Sequence, residues 1–270
     1  MLSVSIVCYN TDCEELGRCL DSLKTSIVST IYIVDNSSQS YIQDFCATHK
    51  NVEYIPSKNV GYGAGHNIAI RKAIENNEEY HLVLNSDVYF EPDTLDKLVE
   101  YLDSNKDVAQ VQPRITYPDG TLQYTCRLLP TPLDLIFRRF LPKCVIEHRN
   151  NRYILAHYSH NTPLNIAYHQ GSFMLFRTSC FKDVGLFDER FFMYPEDIDI
   201  TRRMHSKYRT MYWPNVSVVH AHRAASYKST RMLKIHIVNM VKYFNKWGWF
   251  FDSERRKVNR EILKETNYSK

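Results

Sequence analysis

The chain has 270 residues, 44% of them hydrophobic and 24% charged, enough for one large α/β domain with a full core and an appended subdomain. A formal net charge of +4 is too small for the whole chain to act as a nucleic-acid binder, so no nucleic-acid partner is expected. No run of eighteen apolar residues is present to span a membrane, and the first residues lack the basic and apolar regions of a signal peptide.

Val4 to Tyr9 is β-branched and apolar and predicts a first strand. Thr11 and Glu14 have capping-box spacing for a helix to about Lys24, with Leu16, Leu20 and Leu23 inward. Thr30 to Asp35 repeats the pattern as a second buried strand ending in polar residues. Ser40 to His49 reads as helix and Val52 to Ile55 as a short strand. A glycine-rich turn, Lys58 to Gly65, then opens a helix through Asn76. His81 to Asn85 is the fourth strand, and its apolar run stops at Asn85, Ser86 and Asp87. Alternating strands and helices of these lengths imply a mostly parallel sheet with right-handed crossovers, and ligands of such sheets collect beyond the carboxyl ends of the strands.

Pro92 starts another helix with Leu95, Leu98, Val99 and Leu102 inward, and Val108 to Val111 is a fifth strand. From Pro118 to Pro163 the periodicity weakens, which predicts a mobile insertion over the cleft; Leu133 to Leu141, with Phe137, Arg138, Arg139 and Phe140, fits either a membrane contact or a cap on the core. Gly171 to Phe176 returns to strand. Pro195 and the acids after it predict a helix from Glu196, with Asp197 on its first turn. Tyr208 to Trp213 and Val216 to His220 read as two strands. The tail from Tyr227 is basic and aromatic, with Leu233, Ile237, Met240, Val241 and Phe244 on one helical face. Seven scattered cysteines, with neither a C-x-x-C pair nor zinc-site spacing, fit a reducing cytoplasm.

A sheet edge bearing Asp87, a glycine turn and a distant acidic helix start suits displacement at the anomeric carbon of a nucleotide sugar. The base needs an acceptor for its imide N–H, the diphosphate needs charge stabilisation, and the attacking hydroxyl needs a carboxylate to take its proton. Asp35, Asp87 and Asp197 match those tasks in that order. Asp35 as a turn cap, Asp199 paired with Arg202 or Arg203, and a histidine satisfied at a strand end are the competing structural roles.

An ordered set of strings carries a family resemblance: Val4-Ser-Ile-Val-Cys-Tyr-Asn10, Ile33-Val-Asp-Asn-Ser37, Asn59-Val-Gly-Tyr-Gly-Ala-Gly-His-Asn67, Leu84-Asn-Ser-Asp87, Gly171-Ser-Phe-Met-Leu175 and Gly185-Leu-Phe-Asp-Glu-Arg-Phe-Phe-Met-Tyr-Pro-Glu-Asp-Ile-Asp199. With them the chain resembles the inverting glycosyltransferases of family 2, which have the GT-A fold, and within them the bacterial rhamnosyltransferase-like branch. The resemblance implies a GT-A domain over 1–225, with a nucleotide-sugar half at 1–112 and an acceptor half at 113–225, followed by a helical tail at 226–270. It implies that Asp35 meets uracil or thymine, and that Asn10, Asn36, Asn59, Gly61, Gly63 and Asn67 shape the nucleotide pocket. Asn85, Ser86 and Asp87 would lie along the donor, with Asp87 binding the metal together with a late histidine, His220 or His222. Asp197 would be the catalytic base with Glu196 beside it, and Gly171, Ser172, Phe173 and Tyr194 would face the acceptor.

One departure bears on the cofactor. The first acid of the family's D-x-D is Asn85 here, and a unit charge pair at 4 Å is worth ~4 kcal/mol at an effective dielectric of 20. Mg²⁺ or Mn²⁺ is therefore expected to bind chiefly with the donor. The donor implied is dTDP-rhamnose, with UDP-hexoses as the alternative. The acceptor implied is a lipid-linked or surface polysaccharide precursor such as that of lipopolysaccharide, and the tail would touch the inner face of the cytoplasmic membrane. A nicotinamide dehydrogenase is disfavoured because Tyr9 to Asp12, after the first strand, holds no glycine. A non-catalytic nucleotide-sugar binder would have no use for Asp87, Glu196 and Asp197.

Overall fold

The computed structural model describes residues 1–37, 41–135, 142–221 and 230–268. Four parallel strands form its first half: Leu2–Cys8 (β1), Val28–Asp35 (β2), Val52–Pro56 (β3) and Tyr80–Leu84 (β4), ordered β3-β2-β1-β4. Helices Cys13–Ser22 (α1), Tyr41–Cys46 (α2) and Tyr62–Glu75 (α3) make the crossovers. The cap of α1 is Asp12, whose side chain accepts from the N–H groups of Glu14 and Glu15; Thr11, the sequence-predicted cap, instead accepts from the Tyr9 N–H. After β4 come Val88–Phe90 (β5), Thr94–Ser104 (α4) and Val108–Thr116 (β6). The second half supplies Pro132–Leu135 (α5), Lys143–Tyr153 (α6), Leu164–Asn165 (β7), Phe173–Arg177 (β8), Phe181–Val184 (α7), Glu196–His205 (α8) and Arg209–His220 (β9).

The nine strands of the described residues belong to one sheet, ordered β3-β2-β1-β4-β8-β6-β9-β5 with β7 on β9. Its first four strands are parallel, as are β6 and β9, but β8 runs antiparallel to both β4 and β6, and β5 and β7 antiparallel to β9. The two strands expected over 208–220 are one, β9, whose register against β6 shifts after Pro113. β5 is too short to show in the sequence pattern.

Strand alternation sends β4 side chains to both faces. Leu82 and Leu84 join Val4, Ile6, Leu16, Leu20 and Leu98 beneath α1 and α4, while Val83 joins Ile70, Met174, Phe176, Ile200 and Met204 beneath α3 and α8. Full burial of each such side chain contributes roughly 1.5–3 kcal/mol, which fixes the register on which the polar edge depends. Phe173 follows the same alternation. It is fully buried against Phe90 and belongs to the core.

Between β6 and β8 the expected mobile cover is a packed layer instead. Cys126, Leu128, Leu129, Tyr153, Leu155, Leu164 and Ile166 form a second core, which takes in Met240, Tyr243 and Phe244 of Thr230–Trp247 (α9) and Ile262 of Ser253–Glu265 (α10). Leu133 to Leu135 lie within this layer's sequence, whereas Phe137, Arg138, Arg139 and Phe140 lie outside the described residues, as does Tyr227 at the start of the tail. No helix among the described residues is long and apolar enough to cross a membrane.

Of the expected apolar face of α9, Met240 and Phe244 enter the core while Leu233, Ile237 and Val241 stay partly exposed, and charge pins the two tail helices to α8. Arg202, 2% exposed, donates to Asp252 at 2.8 and 2.9 Å and to Glu254 at 2.7 and 3.1 Å, and lies 4.0 Å from the centre of the Trp247 ring. Asp199, fully buried, accepts from Arg203 at 2.9 Å, Lys246 at 2.6 Å and the Trp247 indole at 2.8 Å. Trp247 is therefore an internal strut, and the Trp249 ring packs tilted against Phe244 at 5.3 Å. Removing Arg202 leaves the buried Asp252 carboxylate without its main partner. Arg202→Ala should lower unfolding stability by roughly 3–5 kcal/mol in a denaturant titration, and a loss under ~1 kcal/mol would show that the clamp does not hold the tail.

Candidate active site

Because β2, β1 and β4 are adjacent and parallel, their carboxyl ends bring three sets of polar residues together. Asp35 stands opposite Cys8 in the β1–β2 register. It is 1% exposed, and its two oxygens accept from the Ser37 N–H at 2.9 Å and the Tyr54 hydroxyl at 3.1 Å. Each oxygen keeps a second lone pair for a ligand donor. Asn10, at φ 51°, donates its N–H to Ser37 at 2.8 Å, tying the ends of β1 and β2. Asn36 is buried beside them. Its amide nitrogen reaches the Gly61 carbonyl at 3.5 Å, and its Oδ1 has no hydrogen-bond partner in the structure. Asn36, Asn59, Gly61 and Tyr62 line a cavity of about 290 Å³ with Val7, Tyr9, Phe192 and Arg231.

The glycines of the turn act by letting backbone approach. Gly61 has φ 99°, and a Cβ there would stand 2.2 Å from the Phe192 carbonyl oxygen; a Cβ on Gly63 would stand 2.9 Å from that of Phe187. Both press α3 against the loop that leads into α8. Asn67 points into the same joint, donating to the Phe187 carbonyl and the Glu189 carboxylate at 2.9 Å each and accepting from the Phe187 N–H at 3.0 Å. It holds the loop and lies away from the cavity lined by Asn36 and Asn59.

At the end of β4 the three polar residues separate. Asn85 gives its N–H to the Ser172 carbonyl at 3.0 Å, and its side chain meets the Tyr62 hydroxyl at 3.0 Å. Ser86 donates to Glu15 of α1 at 3.0 Å. Asp87 faces His220, because β5 pairs with β9 so that Val88 lies opposite His220, and its Oδ1 stands 3.3 Å from His220 Nε2. The tautomer follows from Gln123. Its amide nitrogen donates to the His220 carbonyl at 2.7 Å, so its oxygen must accept from His220 Nδ1–H at 2.9 Å. In the neutral ring Nε2 then carries a lone pair directed at a carboxylate, and either a ring proton or a divalent cation between them relieves the clash of two acceptors. Among the described residues no group of three or more His, Cys, Asp or Glu forms a cation site, and His222 lies outside them.

Three acids at the start of α8 meet three environments. Asp199 is the buried ion-pair partner described above. Glu196 is 4% exposed, and burial, then the neighbouring Asp197 charge, pushes its carboxyl well above the usual range. Asp197 remains partly open, accepting from the Ile198 N–H at 2.8 Å and the Gly171 N–H at 3.1 Å. Burial raises it to about 6, against these hydrogen bonds and the field of Arg127. Of the three, Asp197 alone combines an accessible carboxylate with a proton affinity suited to a base near neutral pH.

Tyr62, which the sequence offers only as a residue between glycines, joins the two regions. Its hydroxyl contacts the Gly171 carbonyl at 2.6 Å and Asn85 Oδ1 at 3.0 Å, and Gly171 in turn donates to Asp197. Ser172 is buried beneath this junction, and Tyr194 packs edge-on against His236 at 5.3 Å.

With this geometry in place, comparison with known proteins defines the class. Residues 3–185 match Glycosyl transferase family 2, and the chain belongs to that family. It is 31% identical over 204 residues to a low-salt glycan biosynthesis hexosyltransferase of Haloferax volcanii, across 74% of this chain and 61% of that protein. It is 27% identical over 237 residues to the N-acetylglucosaminyl-diphospho-decaprenol L-rhamnosyltransferase of Mycobacterium tuberculosis, across 77% and 75% of the two chains. Among solved structures it superposes on GalNAc-T7, crystallised with UDP, GalNAc and Mn²⁺, with a TM-score of 0.64 at 16% identity; the match covers 92% of this chain and 48% of that one, and shows the shared GT-A fold.

Asp197 must lose its proton to act as a base, and its raised affinity sets the pH at which it does so. Activity should rise as pH increases through about 6 with a single-proton slope and then level off. The same shift makes the protonated form favour the folded state, a contribution present below the ordinary value of 3.8 and lost as pH rises through 6. A kcat/KM profile flat from pH 5 to 7 would contradict the assignment.

Proposed function

We propose that the chain is an inverting glycosyltransferase that moves a sugar from a nucleoside diphosphate to a hydroxyl of a glycan precursor, with Asp197 as the base. The observation that carries this reading is the position of Asp197. It is held by two backbone N–H groups and linked through Gly171 and Tyr62 to the strand end that bears Asn85 and Asp87. Asp197 takes the proton from the acceptor hydroxyl as that oxygen bonds to the anomeric carbon. The bond from that carbon to the diphosphate oxygen breaks on the opposite face with its electron pair, which inverts the centre. Asp35 anchors the base of the donor, and Asn36, whose Oδ1 is buried without a partner, faces the same cavity.

Asp87 and His220 fit a divalent cation, Mg²⁺ or Mn²⁺, since Gln123 fixes the ring with Nε2 toward the carboxylate. When bound, the cation would neutralise charge on the leaving diphosphate. Two protein ligands suit a cation that arrives with the donor, whose oxygens supply further ligands.

Rhamnosyl transfer from dTDP-rhamnose to a lipid-linked or surface polysaccharide precursor is the preferred specificity, supported by the mycobacterial likeness and by rhamnosyltransferase WbbL of Escherichia coli, 26% identical over 220 residues. A UDP-hexose donor is the second reading, supported by the haloarchaeal hexosyltransferase. A lipid-linked acceptor would place the enzyme on the inner face of the cytoplasmic membrane. Phe250 and Phe251, 66% and 91% exposed beside Arg256 and Lys257, are residues suited to touch it.

Substitution separates the roles. Asp197→Asn should leave nucleoside diphosphate binding intact and lower turnover at least ~100-fold, about 2.7 kcal/mol of barrier, while Asp35→Ala should chiefly raise KM for the donor. Retention of more than about a tenth of wild-type turnover in Asp197→Asn, together with its abolition in Glu196→Gln, would move the base to Glu196.

A further inference from the structure

Arg127 stands in the segment between β6 and α5, four residues beyond the glutamine that orients His220. Its Nε donates to the Tyr124 carbonyl at 2.9 Å and its Nη1 to the Tyr168 hydroxyl at 3.5 Å, with the guanidinium 5.6 Å from the centre of the Tyr168 ring. Three residues after Tyr168, Gly171 donates the N–H that holds Asp197. Partly buried Arg149, Arg202 and Arg203 each meet a carboxylate. No carboxylate of the described residues lies within ion-pair distance of Arg127, although three of its five N–H groups make no hydrogen bond to them. Its charge nevertheless reaches Asp197 and helps to hold that carboxylate ionised.

The guanidinium is partly buried, touches no carboxylate of the described residues, and has a planar fork that matches phosphate and carboxylate oxygens. In an in-line displacement the base lies on the acceptor's face of the sugar and the diphosphate leaves from the other. A cation that contacts Tyr168, just before the Gly171 that holds the base, and whose field reaches that base is therefore placed for the acceptor. We propose that Arg127 binds a phosphate or diphosphate group of the acceptor, close to the reacting hydroxyl, and so selects anionic acceptors over neutral glycosides. This rests on Asp197 being the base. A phosphate at this position could instead belong to the donor, and the two sources affect different constants.

The test uses the full chain and two acceptors with the same terminal sugar, an alkyl sugar diphosphate and a neutral alkyl glycoside. Binding to enzyme saturated with nucleoside diphosphate is measured by calorimetry, and transfer by product formation. Wild type should bind the anionic acceptor at least about tenfold more tightly. Arg127→Gln should weaken that binding about ten- to a hundredfold, the scale of a lost charge-assisted hydrogen bond, and change the neutral acceptor by less than about twofold. In transfer the loss should fall on the acceptor KM with the donor KM unchanged, and Arg127→Lys should recover part of it. Equal weakening toward both acceptors, or none toward either, overturns the proposal. A rise in donor KM or in nucleoside diphosphate Kd alone moves Arg127 to the leaving group and overturns it as well. If Asp197→Asn keeps its turnover, the reading of the base fails, while the ratio of acceptor affinities still decides the role of Arg127.

Discussion

The site depends on the one phenolic proton of Tyr62. Gly61, which no other residue can replace without striking the Phe192 carbonyl, delivers Tyr62 to the start of α3, where its N–H binds that carbonyl at 2.9 Å. The hydroxyl then stands between the Gly171 carbonyl at 2.6 Å and the Asn85 side chain at 3.0 Å. The two acceptors share that proton, with the shorter contact to Gly171, so the phenol ties the end of β4 to the residue whose N–H holds Asp197. Burial, followed by the charges of Glu196 and Asp197, raises the Tyr62 phenol well above its ordinary range, so it stays a donor at working pH.

Placement of α8 depends in turn on the end of the chain. Arg202 and Asp199 on α8 are answered by Asp252, Glu254, Lys246 and Trp247 of the tail, so the segment that reads in sequence as a basic appendage supplies the counter-charges of that helix. These buried pairs are costly to assemble but more costly to break, which favours one arrangement of α8 against the sheet. Asn239 adds a further tie, donating to the Met193 carbonyl at 2.7 Å in the loop just before Pro195.

Periodicity was enough to place the parallel strands of the first half, because β1, β2 and β4 are short and largely buried on both faces, and the polar residues after β2 and β4 are in the positions that strand order demands. The helix start at Glu196 was equally legible from Pro195 and the acids behind it. The antiparallel β8 was not, since a buried strand carries no mark of its direction. The three acids of α8 are alike in sequence; burial and partners separate the partly open Asp197 from the ion-paired Asp199 and the buried Glu196. Tyr62, Gln123 and Arg127 escaped notice because each acts through a neighbour distant in sequence. The resemblance implies nucleotide contacts for Gly63 and Asn67, and the structure shows both packed against the 187–192 loop. The apolar face of α9 suggested a membrane, and an amphipathic helix shows the same pattern whether lipid or a protein core covers it.

The central claim is that Asp197 removes a proton and forms no bond to sugar, so that displacement occurs once and in line. The anomeric configuration of the first product, read by nuclear magnetic resonance from its one-bond carbon–hydrogen coupling before any spontaneous change, tests this most directly. The product should have the configuration opposite to that of the donor. A product that keeps the configuration of the donor would require two displacements or a front-face path, and would contradict the account.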